Sequence, residues 1–262
     1  MPPTGNVKVV VRVRPMNRRE IERNAQCIVQ MQGKMTILQN PGKEGDTKKF
    51  TYDHSYWSMD KAQPQYADQE QVFKDLGEEV LDASFEGYNT CVFAYGQTGA
   101  GKTYSMMGYG DEPGLVPRIC EGLFERAAAM ADDGTGTKYS AVVSYLEIYN
   151  EQVRDLLITA KQAAKKTNLR VRENPKTGPF VEGLSAHTVT DFAKIEELME
   201  MGNANRTTAA TGMNDTSSRS HAVFTMTFTQ ASFVEGVPAE KSSKINLVDL
   251  AGSERTSATG QT

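Results

Sequence analysis

Apolar and polar positions change period repeatedly along the chain, and each change marks an element. "VKVVVRVRP", starting at Val7, is a β-branched run that Pro15 stops; "CIVQ" and "MTILQ" read as short strands parted by Gly33. "NPGKEGDTKK" carries no apolar pattern and predicts a polar surface turn. Between Asp68 and Leu81 the period lengthens: Val72, Phe73, Leu76 and Val80 recur at helical spacing, and Gly87 and Asn89 close the helix. "CVFAY" is a continuous apolar run of the kind a buried strand shows. A helix follows the next glycine-rich segment, breaks near "GYGDEPG" and resumes from Val116 to Met130. "YSAVVSYLEIYNEQVRDLL" predicts a long strand passing into a helical turn, and "ITAKQAAKKTN" a polar loop. "NLRVREN" and "PFVEGLSAHTV" read as short strands around the turn "PKTG". Thr190 to Arg206 fits a helix capped by Thr190 or Asp191, with Phe192, Ile195, Leu198 and Met199 on one face. "HAVFTMTFTQ" alternates like a strand, and "SKINLVDL" is an apolar strand that feeds Gly252. With no repeat or long linker, the pattern predicts a single α/β domain over residues 1–262, its central sheet covered by helices on both faces.

Composition narrows the function classes. The 262 residues, 39% of them hydrophobic, suffice for a sizeable core. A formal net charge of -4 supplies no global attraction to nucleic acid or to anionic membranes, so neither is an expected partner and an acidic partner requires a local basic patch. No apolar run reaches the ~18 residues of a membrane span, and the first residues lack the apolar core of a signal peptide. Cys27, Cys91 and Cys120 are odd in number and lack metal-site spacing, which fits a reducing cytosolic compartment; Cys91, inside an apolar run, reads as core.

Candidate chemistry lies where the strand "CVFAY" meets a helix. Gly96-Gln97-Thr98-Gly99-Ala100-Gly101-Lys102-Thr103 has the GxxxxGK[ST] form. Its glycines let the backbone curl so that successive N–H groups point inward at a polyphosphate, Lys102 reaches the terminal phosphates, and the Thr103 hydroxyl is a ligand for Mg²⁺. Two further segments have the character of γ-phosphate sensors. "NLVDLAGSE" ends a strand at Asp249, suited to ordering water on magnesium, and then offers Gly252, free to approach a phosphate oxygen, and Glu254. "NDTSSRSH" places Asn214, Ser217, Ser218, Arg219 and His221 in a polar loop between a helix and a strand; alone it reads as an ordinary turn.

Together, "FAYGQTGAGKT", "NDTSSRSH", "VDLAGSE" and "VRVRP" closely resemble the kinesin motor domain, from about Val7 to the last residue. "YDHSYWS", "FEGYN" and "NLRVRENPKTGPFVEGL" look most like the class-three transport kinesins. The resemblance implies a P-loop NTPase-like central sheet, mixed and largely parallel, with helices on both faces; a complete domain has eight strands. It implies ATP and ADP as ligands with Mg²⁺, and a motor ATPase working along microtubules in the cytoplasm. Arg12, Arg14 and Pro15 match the adenine-side motif and Tyr104 falls where a ring can stack on the base; apart from the resemblance the two arginines read as a solvated strand face. In the family pattern Ser218 supports Mg²⁺, Asn214 lies with the nucleotide-binding residues, Ser217 positions the attacking water, Arg219 pairs with Glu254 to close the site, and Glu254 accepts a proton through water. Arg206 resembles a switch arginine and reads equally well as a helix-end charge. A nucleotide-gated binding module without productive turnover is the alternative. The resemblance further implies that relay helix, main track-binding helix, final strand and neck linker belong after Thr262, that cargo binds through tail regions, and that the present residues alone show little microtubule-stimulated turnover.

Overall fold

Residues that pair early in the chain form two small sheets. In the computed structural model, which describes residues 7–43, 45–131, 136–163, 168–210, 218–234 and 236–254, the chain falls into two compact units, Met1–Val72 and Phe73–Thr262. In the first, β1 (Val10–Val13) runs parallel to β5 (His54–Trp57), while β2 (Val29–Gln32), β3 (Met35–Gln39) and β4 (Thr47–Thr51) form an antiparallel meander. Helix α1 (Arg18–Glu22) starts on a reciprocal cap: Glu20 N donates to Asn17 Oδ1 and Asn17 N to Glu20 Oε2. Helix α2 (Gln69–Val72) opens the predicted Asp68–Leu81 helix. Strand β4 occupies part of the predicted polar turn. All five of its residues are exposed, so no apolar alternation betrays it, and pairing with β3 supplies its order.

In the second unit the helical segment passes through a π-turn (Phe73–Gly77) into α3 (Glu78–Glu86), which ends at Gly87 in the left-handed region, φ +91°. Then come β6 (Thr90–Ala94), α4 (Lys102–Met106), the small hairpin β7 (Gly108–Tyr109) and β8 (Glu112–Pro113), and α5 (Leu115–Ala131). These match the helix that breaks and resumes. Next are β9 (Lys138–Tyr149), β10 (Gln152–Asp155), α6 (Ala160–Ala163), the hairpin β11 (Arg170–Asn174) and β12 (Gly178–Glu182), and β13 (His187–Val189). Helix α7 (Phe192–Ala210), capped by Asp191 Oδ1 on Lys194 N, leads towards β14 (His221–Val234) and β15 (Val237–Asp249). The expected helical turn after Tyr149 is instead a hairpin. Asn150 and Glu151 both take positive φ, 48° and 61°, the geometry of a two-residue turn whose twist matches flanking strands.

The sheet runs β10-β9-β14-β15-β6, with β13 also on β9. It is mixed: β15 pairs β6 in parallel and the remaining pairs are antiparallel, dominated by the long β14–β15 hairpin. Phe224, Met226 and Phe228 of β14, with Val143 and Tyr145 of β9 and Ile245 and Leu247 of β15, are buried on one face. The helix layer α3, α5 and α7 packs there, with Phe85 edge-on to Phe228 and Gly202 admitting the Tyr145 ring against α7. Strand β6 is not buried as its apolar run suggests: Cys91 and Phe93 are exposed, and Cys91 is not core.

Candidate nucleotide site

Parallel pairing of β6 with β15 sets Ala94 beside Asp249, so both strands release their chains at the same sheet edge. From β6 the chain enters the glycine loop; from β15 it enters Leu250–Glu254. Carboxyl-end edges of adjacent parallel strands are where α/β sheets place ligands. Within the loop Gly99 and Gly101 have φ of +75° and +93°, which side chains disfavour, and Ala100 N closes a turn on Gln97 O at 3.1 Å. Lys102, the first residue of α4, swings its ammonium over the loop and donates to the carbonyls of Gly96 and Gln97, each at 3.0 Å. The cation is thus held at the concave side of a backbone ring.

Hydrogen bonds join the three predicted segments. Gly252 N donates to Ser218 O at 2.7 Å, Ala251 N to His221 Nδ1 at 3.1 Å, and Ser253 N to Gly96 O at 3.0 Å. A Cβ on Gly252 would sit 2.5 Å from both Thr98 Oγ1 and a Glu254 carboxylate oxygen, so this closeness requires glycine. Glu254 accepts from Thr98 N at 2.8 Å and from the Thr98 hydroxyl. These bonds, the hydroxyl's foremost, hold the Glu254 carboxyl below the usual carboxylate range. In this structure the partner that Glu254 meets is the glycine loop, through Thr98. Arg219 itself is exposed. Asn214 and Ser217 lie outside the described residues.

Below the loop is a buried polar cluster. Thr103 Oγ1 donates to Asp249 Oδ2 at 2.7 Å, and Arg206 Nη1 donates to the same oxygen at 2.9 Å. Arg206 is 5% exposed, which decides between its two readings: it is a buried partner of Asp249 and not a solvated helix-end charge. Asp249 Oδ1, buried, accepts no hydrogen bond among the described residues. A carboxylate oxygen left open beside the Thr103 hydroxyl, with Ser218 anchored to Gly252, fits a hydrated Mg²⁺ held chiefly by hydroxyl, water and phosphate oxygens. Among the described residues no three acidic, histidine or cysteine side chains cluster as metal ligands.

The sequence reading missed Glu147. It is fully buried on β9, accepts from Ser220 Oγ at 2.6 Å, and lies 3.7 Å from Arg206 Nε. Its signal was available in the strand period: Glu147 is two residues from Tyr145 and four from Val143, hence on their inward face. Tyr104 is tied by its hydroxyl to Glu112 Oε2 at 2.9 Å, and its ring stacks beside Tyr109 with centroids 6.2 Å apart. Arg12, Arg14 and Pro15 belong to the first unit. There Arg12 donates to Ser58 Oγ and Gln69 Oε1, and Arg14 donates to Glu20 and to Pro15 O.

This architecture and loop define a P-loop nucleotide-binding protein. A family model described as the kinesin motor domain matches residues 12–262, spanning both units, and the chain belongs to that family. It is 57% identical over 269 residues to the human kinesin-like protein KIF16B and 55% identical over 267 residues to Klp98A of Drosophila melanogaster. Each comparison covers 98% of this chain, and the chain spans about a fifth of those relatives, 20% and 21%. Among solved structures, a KIF14 dimer with AMP-PNP in complex with a microtubule superposes with a TM-score of 0.88 at 46% identity, covering 98% of this chain and 71% of that one.

Proposed function

We propose that the chain is a Mg²⁺-dependent ATP hydrolase that couples the presence of a terminal phosphate to movement or force along microtubules. The observation that carries this reading is the hydrogen-bonded meeting of three segments: the glycine loop, Ser218 and Gly252–Glu254. A pocket that only held nucleotide would need the first alone. Support for the track comes from family membership and from the KIF14 structure named above.

Phosphoryl transfer has a loose transition state, so the protein's task is to place charge and water rather than to supply a strong base. The Lys102 ammonium and loop N–H groups bind the phosphates, turning from carbonyl partners within the loop to phosphate oxygens. Thr103, Ser218 and Asp249 would hold hydrated Mg²⁺, which neutralises phosphate charge when bound. Glu254, released from Thr98, accepts a proton relayed from the attacking water; Ser217 orients that water and Arg219 completes the closed loop. Gly252 N–H, now donated to Ser218 O, is the group that exchanges partners when a terminal phosphate is present. The proposed setting is the cytoplasmic microtubule cytoskeleton. ATP turnover measured with and without polymerised tubulin tests the reading: stimulation by the polymer supports it, and nucleotide binding without turnover in either condition leaves only a gated binding module.

A further inference from the structure

Glu147 is a charged side chain with no place in the mechanism above. Burying a carboxylate is costly unless partners compensate it, and Glu147 is 0% exposed. Its partners are specific. Oε1 receives the Ser220 hydroxyl at 2.6 Å and lies 3.7 Å from Arg206 Nε. Oε2 accepts no hydrogen bond among the described residues and faces Arg154 Nη1 at 4.0 Å, a half-exposed cation at the rim. Arg206 therefore stands between two buried carboxylates, Glu147 and Asp249, with its Nη1 bonded to Asp249. Both carboxylates act on the neighbouring Tyr145 phenol, which burial pushes up to about 12.

We propose that Glu147 is a positioning residue for the metal end of the nucleotide site, acting through Arg206 and Ser220. This rests on the reading of Thr103, Ser218 and Asp249 as the Mg²⁺-supporting residues. One guanidinium shared by two carboxylates leaves Asp249 with negative charge to offer a metal-bound water. With Glu147 neutral, Arg206 and Asp249 become a balanced pair and the pull on a dication weakens. Glu147 also tethers Ser220, two residues beyond Ser218, and Ser218 O is the acceptor for Gly252 N. The same carboxylate thus sets the charge beside Asp249 and the foot of the serine segment.

The experiment is release of a fluorescent N-methylanthraniloyl-ADP from the protein, followed by stopped flow over a series of free Mg²⁺ concentrations. Glu147→Gln keeps an acceptor oxygen for Ser220 and removes the charge. The Mg²⁺ concentration that half-slows release rises about tenfold, as the loss of a unit charge one residue removed from the carboxylate implies, while release in excess chelator is unchanged. Ser220→Ala removes the tether and leaves every charge; its midpoint rises by about two- to threefold, and it serves as the independent test if Glu147→Gln does not fold. Glu147→Asp restores part of the shift. Equal Mg²⁺ midpoints in wild type and in the folded variants, with only thermal stability lowered, would overturn the proposal and make Glu147 a purely structural charge. If wild-type release is insensitive to Mg²⁺, the underlying assignment of the metal residues fails instead.

Discussion

Lys102 and Glu254 touch the same loop from opposite sides, but their atoms have different duties. The ammonium is the cation at the concave side of the ring, whereas the carboxylate is bonded to Thr98 and, in the proposed mechanism, must leave to work. Lys102→Ala should weaken ATP and ADP binding by on the order of tenfold to a hundredfold, the scale of a charge-assisted hydrogen bond. Glu254→Ala should leave binding within about threefold and slow hydrolysis by about a hundredfold or more. Equilibrium nucleotide titration beside single-turnover hydrolysis reads the two apart, and parallel losses in both variants would refute the division. Gly252→Ala forces a Cβ against Thr98 and Glu254, so it should spare ADP affinity and block the rearrangement that ATP provokes, monitored by fluorescence of a probe on the Ser218 segment. The glycine loop was readable because its chemistry is local: consecutive residues must adopt positive φ and place a cation. For Glu147 the strand period marks an inward face but not the partners that lie there, and Arg206 kept two readings because Asp249, which it meets, comes from a distant strand.

Single elements hold their own tests. Glu151 sits in a left-handed conformation in the β9–β10 turn with no glycine to ease it, so Glu151→Gly should raise stability by up to about 1 kcal/mol in denaturant unfolding. The predicted helix at this point failed because "NEQV" lacks the usual Asn-Gly signal of the turn; pairing of Gln152 with Tyr149 wins over local propensity. Strand β4 failed for the opposite reason, having backbone partners but no buried side chains. Helices α5 and α7 were legible since each buries a continuous stripe. At α1, the Arg14 guanidinium and the Asn17 N–H lower the Glu20 carboxyl to about 2. A lowered folded value stabilises fully above the unfolded value near 4.5 and loses that support as pH falls towards about 2. The melting-temperature gap between wild type and Glu20→Gln should therefore be constant above pH ~5 and close progressively below it. A gap that widens on acidification would reverse the sign of this linkage.

At the scale of the molecule, the proposed bond exchange at Gly252 would reach distant segments through the sheet. Asp249 ends a strand whose hairpin partner β14 begins at His221, and His221 accepts from Ala251, so movement of the Gly252 segment pulls on the strand that follows the serine loop. A terminal phosphate that captures the Gly252 N–H breaks its bond to Ser218 and biases both segments at once. Track binding should then depend on whether the nucleotide carries that phosphate. The measurement is cosedimentation with polymerised tubulin in saturating ADP and in a non-hydrolysable ATP analogue at fixed salt. The account predicts apparent affinities differing by about fivefold or more between the two states, the usual range of coupling between sites, with the difference abolished by Gly252→Ala. Equal affinity of the wild-type protein in both nucleotides would contradict it.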